Sequence, residues 1–302
     1  GKMISVPLSG IPLFALPAKD GTSAAIILRA LDQAHYTVQL CELGGRRRIG
    51  KAIPLTVEHP GFGTRAHAAL ISNTGRYLYV VFSGYVLGEP DGKRNSWIQA
   101  IDLTDSTPMP EPITIEGTLV GSNTALVAGA DDSCWALSHT TGRSHAFAAN
   151  IEVADNALRS AVAFTYSGVN SPLQVSVNPD TLHTAIGIGQ KIELYDENHA
   201  PYKTLSFEDT VTALYWTDDR LILGIANNLK SVSSDTGSTE NTISLPTGII
   251  THIQRHPGVK QGQHIVNTML APRQMRSIVF SEDRIGIERF AIGIPDTQIS
   301  AL

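Results

Sequence analysis

The sequence predicts an all-β fold built from repeated four-stranded antiparallel sheets, and three observations carry that prediction. Helical periodicity is nearly absent, and only short pieces such as Asp155 to Val162 could carry a turn or two of helix. Elsewhere short β-prone runs are separated by clusters of Gly, Asp, Asn and Pro. Aligned by those turns, the runs repeat. Four strands joined by tight turns cannot bury both faces of their sheet alone. Stacking such sheets radially buries each against its neighbours and leaves only short edges exposed. A single β-propeller domain over residues 1–302 is the architecture that follows.

The repeats run in order along the chain. The first unit is IPLFALPAKDG, SAAIILRALD, HYTVQLCELGG and GKAIPLTVEH, and the second is HAALISNTG, RYLYVVFSG, SWIQAIDLTD and PEPITIEG. The third contains NTALVAGADD, SCWALSHTTG and RSHAFAANIEV. The clearest unit is the fourth, with LQVSVNPD, LHTAIGIG, QKIELYDEN and PYKTLSFED. VTALYWTDD, RLILGIANN, LKSVSSDTG and TENTISLPTG make the fifth, and IITHIQRHPG, QHIVNTMLAP, QMRSIVFSED and RIGIERFAIG the sixth. Six four-stranded blades result, at approximately residues 11–57, 58–118, 119–167, 168–208, 209–247 and 248–292. Their spacing, about 38 to about 57 residues, brackets the ~40–50 usual for a propeller blade. Seven blades is the alternative, because Ala154 to Ser171 is long enough to hold further strands. Residues 1–10 offer a ring-closing strand, Met3 to Leu8 beside Arg284 to Phe290, which would remove a free sheet edge.

The turn between first and second strands carries Asn73-Thr74-Gly75, Asp131-Asp132, Asn178-Pro179-Asp180, Asp218-Asp219 and His256-Pro257-Gly258. These residue types meet the dihedral demands of hairpin turns. Their recurrence at one place in five units outweighs any single instance.

VNPDTLHTAIGIGQKIELYDEN resembles a WD40 repeat, in which a Pro-Asp-rich turn precedes a small-residue second strand and the third strand ends in Trp-Asp. Tyr195-Asp196 stands where that dipeptide would be, and Glu208-Asp209 replaces the usual Gly-His. HAALISNTGRYLYVVFSG with SWIQAIDLTD is similar to the related YVTN-type repeat. The resemblance covers roughly residues 60–245 and is generic to propellers. Trp-Asp and Gly-His are intact in no unit, so the family's His, Asp, Ser/Thr and Trp tetrad is not expected here.

Totals exclude several function classes. A net charge of −5 gives no overall footprint for nucleic acid. No apolar segment approaches the ~20 residues of a membrane helix, so membrane insertion is not expected. Cys41 and Cys134 make neither a metal spacing nor a disulfide framework, and each sits in an apolar run as a buried free thiol would. With no Asn-x-Ser/Thr acceptor and no apolar h-region near the N-terminus, the expectation is an intracellular protein, cytoplasmic or nuclear.

Gly187-Ile188-Gly189-Gln190-Lys191 looks at first like a phosphate loop. A dinucleotide fingerprint needs a third glycine where Ile192 stands, and a P-loop needs Gly-Lys-Ser/Thr. Both need a following helix, whereas Ile192 and Leu194 alternate with Lys191, Glu193 and Tyr195 as a strand does. The glycines are therefore expected to serve a tight turn and close blade packing, and no cofactor is expected.

Function is expected in the loops. The resemblance implies a non-catalytic, rigid scaffold that binds other proteins within a larger assembly. Ser83 to Ser96 is the longest hairpin excursion, and in propellers such a loop lies on the face of the turns entering the inner strands. Tyr85, Lys93, Arg94 and Trp97 would then approach His59, Phe62 and Arg65. Aromatic and Arg side chains supply most interface hot spots, although Trp97 at a strand start is as readily buried. Arg46, Arg47 and Arg48 form the one dense basic cluster, a patch for an acidic partner or a solvated turn. The alternative is a lactonase- or esterase-type propeller hydrolase with a metal at the central channel. Glu58, Asn123, Asn170 and Asp209 would supply one oxygen ligand from each of four units, and the cation would activate water. Recognition of carbohydrate or peptide by a secreted propeller is a third reading.

Overall fold

The computed structural model describes residues 8–18, 22–30, 35–42, 50–55, 61–86, 94–114, 125–129, 131–139, 145–169, 173–178, 180–217, 219–245, 248–255, 263–271, 274–281 and 292–293. Every regular element among them is a strand. The first sheet is β1 (Ile11–Pro17), β2 (Ser23–Arg29), β3 (Tyr36–Glu42) and β4 (Ile53–Leu55). The second is β5 (Gly61–Ile71), β6 (Tyr77–Val86), β7 (Arg94–Asp102), β8 (Thr107–Pro108) and β9 (Ile113–Thr114). The third is β10 (Ala125–Ala128), β11 (Cys134–His139), β12 (His145–Ala154) and β13 (Ala157–Ser167). The fourth is β14 (Gln174–Val177), β15 (Thr184–Ile188), β16 (Lys191–Tyr195) and β17 (Pro201–Ser206), and the fifth is β18 (Val211–Trp216), β19 (Arg220–Ile225), β20 (Asn228–Ser233) and β21 (Thr239–Ser244). The sixth is β22 (Ile249–Arg255), β23 (Gln263–Ala271), β24 (Gln274–Ser281) and β25 (Ile292–Gly293). The closing strand proposed from Met3 to Leu8 and Arg284 to Phe290 lies, apart from Leu8, outside the described residues.

The chain divides into two compact units, residues 1–136 with 149–161, and residues 137–148 with 162–300. In the first, Ile27, Val38, Leu78, Val80, Phe82 and Trp97 fuse the first and second sheets into one apolar core. Phe82 is 1% exposed and meets Tyr36 edge-to-face at 5.3 Å. On the other side of the second sheet Tyr79, Val81 and Ile98 pack with Cys134, Ala136, Ala149 and Ile151. A polar clasp locks the same junction. Asp132 accepts from the hydroxyls of Ser72 and Thr74 through its carboxylate and from Tyr79 through its carbonyl. The turn residues Asn73-Thr74-Gly75 and Asp131-Asp132 thus do more than reverse the chain: they tie one hairpin to the next.

Within the second unit, Ala185, Ile192 and Leu194 pack with Val211, Trp216, Leu221 and Leu223, and Ala213 and Ile222 pack with Ile250, Ile253 and Val266. The connections from the fourth to the fifth sheet and from the fifth to the sixth are pinned by the same device. The carbonyls of Gly189 and Gln190 accept from Val211 and Phe207 N–H groups, both at 2.8 Å. Those of Ala226 and Asn227 accept from Ile250 and Leu245, both at 2.9 Å. Gln190 Nε2 donates to Glu208 O at 2.7 Å and Asn227 Nδ2 to Leu245 O at 2.9 Å. Gly189 (φ 61°) and Ala226 (φ 52°) hold the left-handed backbone that aims these carbonyls outward.

Two expectations are corrected. Asp155 to Val162 forms no helix. Asp155 (φ 52°) and Asn156 (φ 58°) make the turn of a hairpin with both central residues left-handed, as a type I′ turn requires, and β13 follows. Ala154 to Ser171 therefore contributes the fourth strand of the third sheet, with no further strand among its described residues. The second sheet also has five strands where four were expected, since β8 and β9 both pair with β7. Pro108, Pro110 and Pro112 cannot donate to a ladder, so the outer strand is broken into two short pieces.

Candidate functional site

The second sheet is drawn out further than the regular fourth sheet. The ladder of β6 with β7 runs unbroken from Tyr77↔Asp102 to Tyr85↔Arg94, while β5 accompanies β6 as far as Gly61↔Val86. In the regular fourth sheet the corresponding ladder, β15 with β16, closes after five pairs at Ile188↔Lys191. The excess is a three-stranded extension rooted in the core: Phe82↔Trp97 is its base row, Arg65↔Ser83↔Ser96 the next and Phe62↔Tyr85↔Arg94 the row near its tip. Both ends of what the sequence offered as a loop, residues 83–86 and 94–96, are thus paired strand. The reason is that Gly84 and Tyr85 on one side and Arg94 and Asn95 on the other continue the ladder of the hairpin.

Three expected contact residues, Phe62, Tyr85 and Arg94, are brought into a single register row. Arg65, opposite Ser83, lies two rows nearer the core, offset by irregularities in β5 between Phe62 and Arg65 and between Ala66 and Ala68. His59, Lys93 and the basic Arg46, Arg47 and Arg48 lie outside the described residues. Trp97 is a correction: at 5% exposure it belongs to the core beside Phe82, because pairing of β7 starts three residues earlier at Arg94 and carries Trp97 inward. Ser96, unseen in the sequence, is wholly buried and its hydroxyl has no hydrogen-bond partner among the described residues.

Of the four oxygen ligands named for a metal, Glu58, Asn123 and Asn170 lie outside the described residues, and Asp209 is exposed on the connection between β17 and β18. Among the described residues no group of three or more His, Cys, Asp or Glu side chains could share an ion. Cys134 is 0% exposed and free, and burial pushes its thiol up, away from the thiolate a nucleophile needs. Cys41 is likewise buried, free and raised by burial.

The position that resembles Trp-Asp has its own chemistry. The Tyr195 hydroxyl donates to Glu193, so the Tyr166 hydroxyl, 3.2 Å away, must donate to Tyr195. Phe164 lies against the Tyr195 ring at 4.6 Å. Burial first and the Glu193 bond second push Tyr195 up to about 12, so the cluster is structural at neutral pH. Asp196 accepts from the Asn198 and Ala200 N–H groups and shapes the turn into β17. Gly187 adds a close approach: a Cβ there would meet the Gln174 Cβ of the same sheet at 3.2 Å, so its packing role is within the blade.

No family model matches the chain, and no curated protein matches it by sequence. Among solved structures the WD40 beta propeller domain of Doa1 matches with a TM-score of 0.54 at 17% identity, covering 95% of this chain and 88% of that one. The fold is a β-propeller. Every sheet of the propeller keeps at least four strands, while Tyr195-Asp196 and Glu208-Asp209 stand in for the dipeptides by which WD40 repeats are read. Gln190 and Asn227, at matching turns of successive blades, are the signal of the pinned connections that pattern reading passed over. No helix among the described residues is long and apolar enough to cross a membrane.

Proposed function

We propose that this WD40-like propeller is a non-catalytic, protein-binding platform inside the cell, acting within a larger assembly. It engages its partner through the extension of the second blade. The observation that carries the reading is the row Phe62↔Tyr85↔Arg94, which gathers two aromatic residues and an arginine on paired backbone. Residues held by a ladder lose less conformational freedom on binding than those of a free loop, so more of their contact energy is realised as affinity. Tyr, Trp and Arg dominate interface hot spots, with alanine substitutions there costing ~2 kcal/mol or more. Two buried free thiols fit a reducing compartment.

Affinity capture with the full chain, followed by titration of the captured partner, tests this. Tyr85→Ala with Arg94→Ala is expected to weaken binding by at least about 30-fold, the equivalent of one hot spot. The melting temperature should change by no more than ~2 °C, since substitutions away from core features usually stay within ±0.5 kcal/mol. Unchanged binding by the double variant would remove this face as the docking site.

A further inference from the structure

A second surface, independent of the extension, stands out on the fourth blade. Leu182 and Tyr202 are each 49% exposed, two of only four large apolar residues so exposed among the described residues. Leu182 precedes His183, and the His183 ring lies 5.3 Å from that of Tyr202. Tyr202 is the extra residue of a β-bulge, between Tyr195↔Pro201 and Leu194↔Lys203. Bulges re-aim a side chain. The fifth blade repeats the bulge with Glu240 in that place, between Val232↔Thr239 and Ser231↔Asn241, and there the residue closes an ion pair with Arg220 Nε at 3.1 Å. What is a self-satisfied pair in one blade is a half-open aromatic ring in the other.

Its surroundings are acidic. Glu197 Oε2 lies 3.4 Å from His183 Nε2. After burial, the charges of Asp235 and Asp196 are what push the Tyr202 hydroxyl up, which places both carboxylates within electrostatic reach of it. Among the described residues no lysine or arginine pairs with Asp196, Glu197 or Asp235, and Lys203 is the single Lys or Arg in the stretch 195–203. An exposed tyrosine face beside carboxylates that no described lysine or arginine neutralises attracts a cation twice over, through the ring quadrupole and through charge. The neighbouring apolar Leu182 suits the alkyl stem that carries such a cation.

We propose that Leu182, His183 and Tyr202, with the carboxylates around them, form a docking surface for a cationic, extended segment of a partner protein. The ring takes a Lys or Arg head group, and Glu197 and Asp235 set the sign of the charge accepted. Random dodecapeptides displayed on phage and selected on the full chain give the test, with the selected sequences remade as labelled peptides. Peptides whose affinity drops at least about tenfold on Tyr202→Ala should carry Lys or Arg next to an apolar residue. They should keep binding to Tyr202→Phe, and weaken several-fold on Glu197→Gln with Asp235→Asn and again in 0.5 M salt, as screened surface charge requires. The carboxamide pair reads the charge even if Tyr202→Ala melts early. The proposal is overturned if no selected peptide distinguishes these variants from the parent, or if those that do are acidic or uncharged.

Discussion

Replacing Phe82 by alanine is expected to cost roughly 3–5 kcal/mol, the largest effect predicted for any single substitution here. At about 2 °C per kcal/mol in a chain of this size, the melting temperature should fall by roughly 6–10 °C. Phe82 is 1% exposed in the core shared by the first two blades, opposes Trp97 across the ladder and meets Tyr36 edge-to-face. Alanine removes the apolar transfer energy, leaves a cavity among stiff neighbours and forfeits a ring pair worth ~0.5–1.5 kcal/mol. Phe82→Leu keeps most of the volume and should cost less than half as much. Because Phe82↔Trp97 is the base row of the extension, partner binding should weaken alongside stability in the alanine variant. That sets it apart from Tyr85→Ala with Arg94→Ala, where binding alone should suffer.

Gly224→Ala should destabilise by about 2 kcal/mol, within the ~1–3 kcal/mol of an overpacked core, and Gly224→Val by more. A Cβ at Gly224 would stand 2.6 Å from Ile250 Cγ2, 2.8 Å from Ile250 Cβ and 3.0 Å from Ala213 Cβ. Rotation about χ1 can move the Ile250 methyl but not its Cβ, so the fifth and sixth blades would have to separate there. Alanine ordinarily gains ~0.5–1 kcal/mol over glycine inside a strand, and the clash must exceed that gain for the loss to be measurable. Gly187→Ala provides the contrast. Its contact is the Gln174 Cβ at 3.2 Å, a few tenths of an ångström that a half-buried residue on the edge strand of the same sheet can yield, so a smaller loss is expected.

What could be read from the sequence divides along physical lines. The period was visible because turn residues with a dihedral role, such as Asn178 and Gly75, recur where hairpins need them. Asn178 Oδ1 indeed accepts from the Asp180 and Thr181 N–H groups. Gly189 was rightly assigned to a turn from the alternation of the residues after it. The 155–162 stretch misled because Asp-Asn is a weaker left-handed signal than Asn-Gly, and LRSAVAF carries enough helix formers to blur its period of two. Prolines 108, 110 and 112 hid the fifth strand of the second blade, since two-residue pieces lie below any periodicity. Around the site, residue types were legible and register was not. Bulges in β5 decide that Phe62 rather than Thr64 stands opposite Tyr85, and no local pattern announces them. Trp97 was misplaced for the same reason: Gly, Pro and Asp in 83–96 read as a loop, while strand pairing persists through Tyr85 and Arg94.

The claim that the second-blade extension is the partner-binding element is tested most directly by site-specific photocrosslinking. A benzophenone amino acid is placed at Tyr85 in one version of the full chain and at Glu111, an exposed residue on the outer side of the same blade, in another. Illumination in cell extract, with the adduct identified by mass, should give one partner adduct from position 85 and none from position 111. Adducts from position 111 with none from position 85 would contradict the assignment.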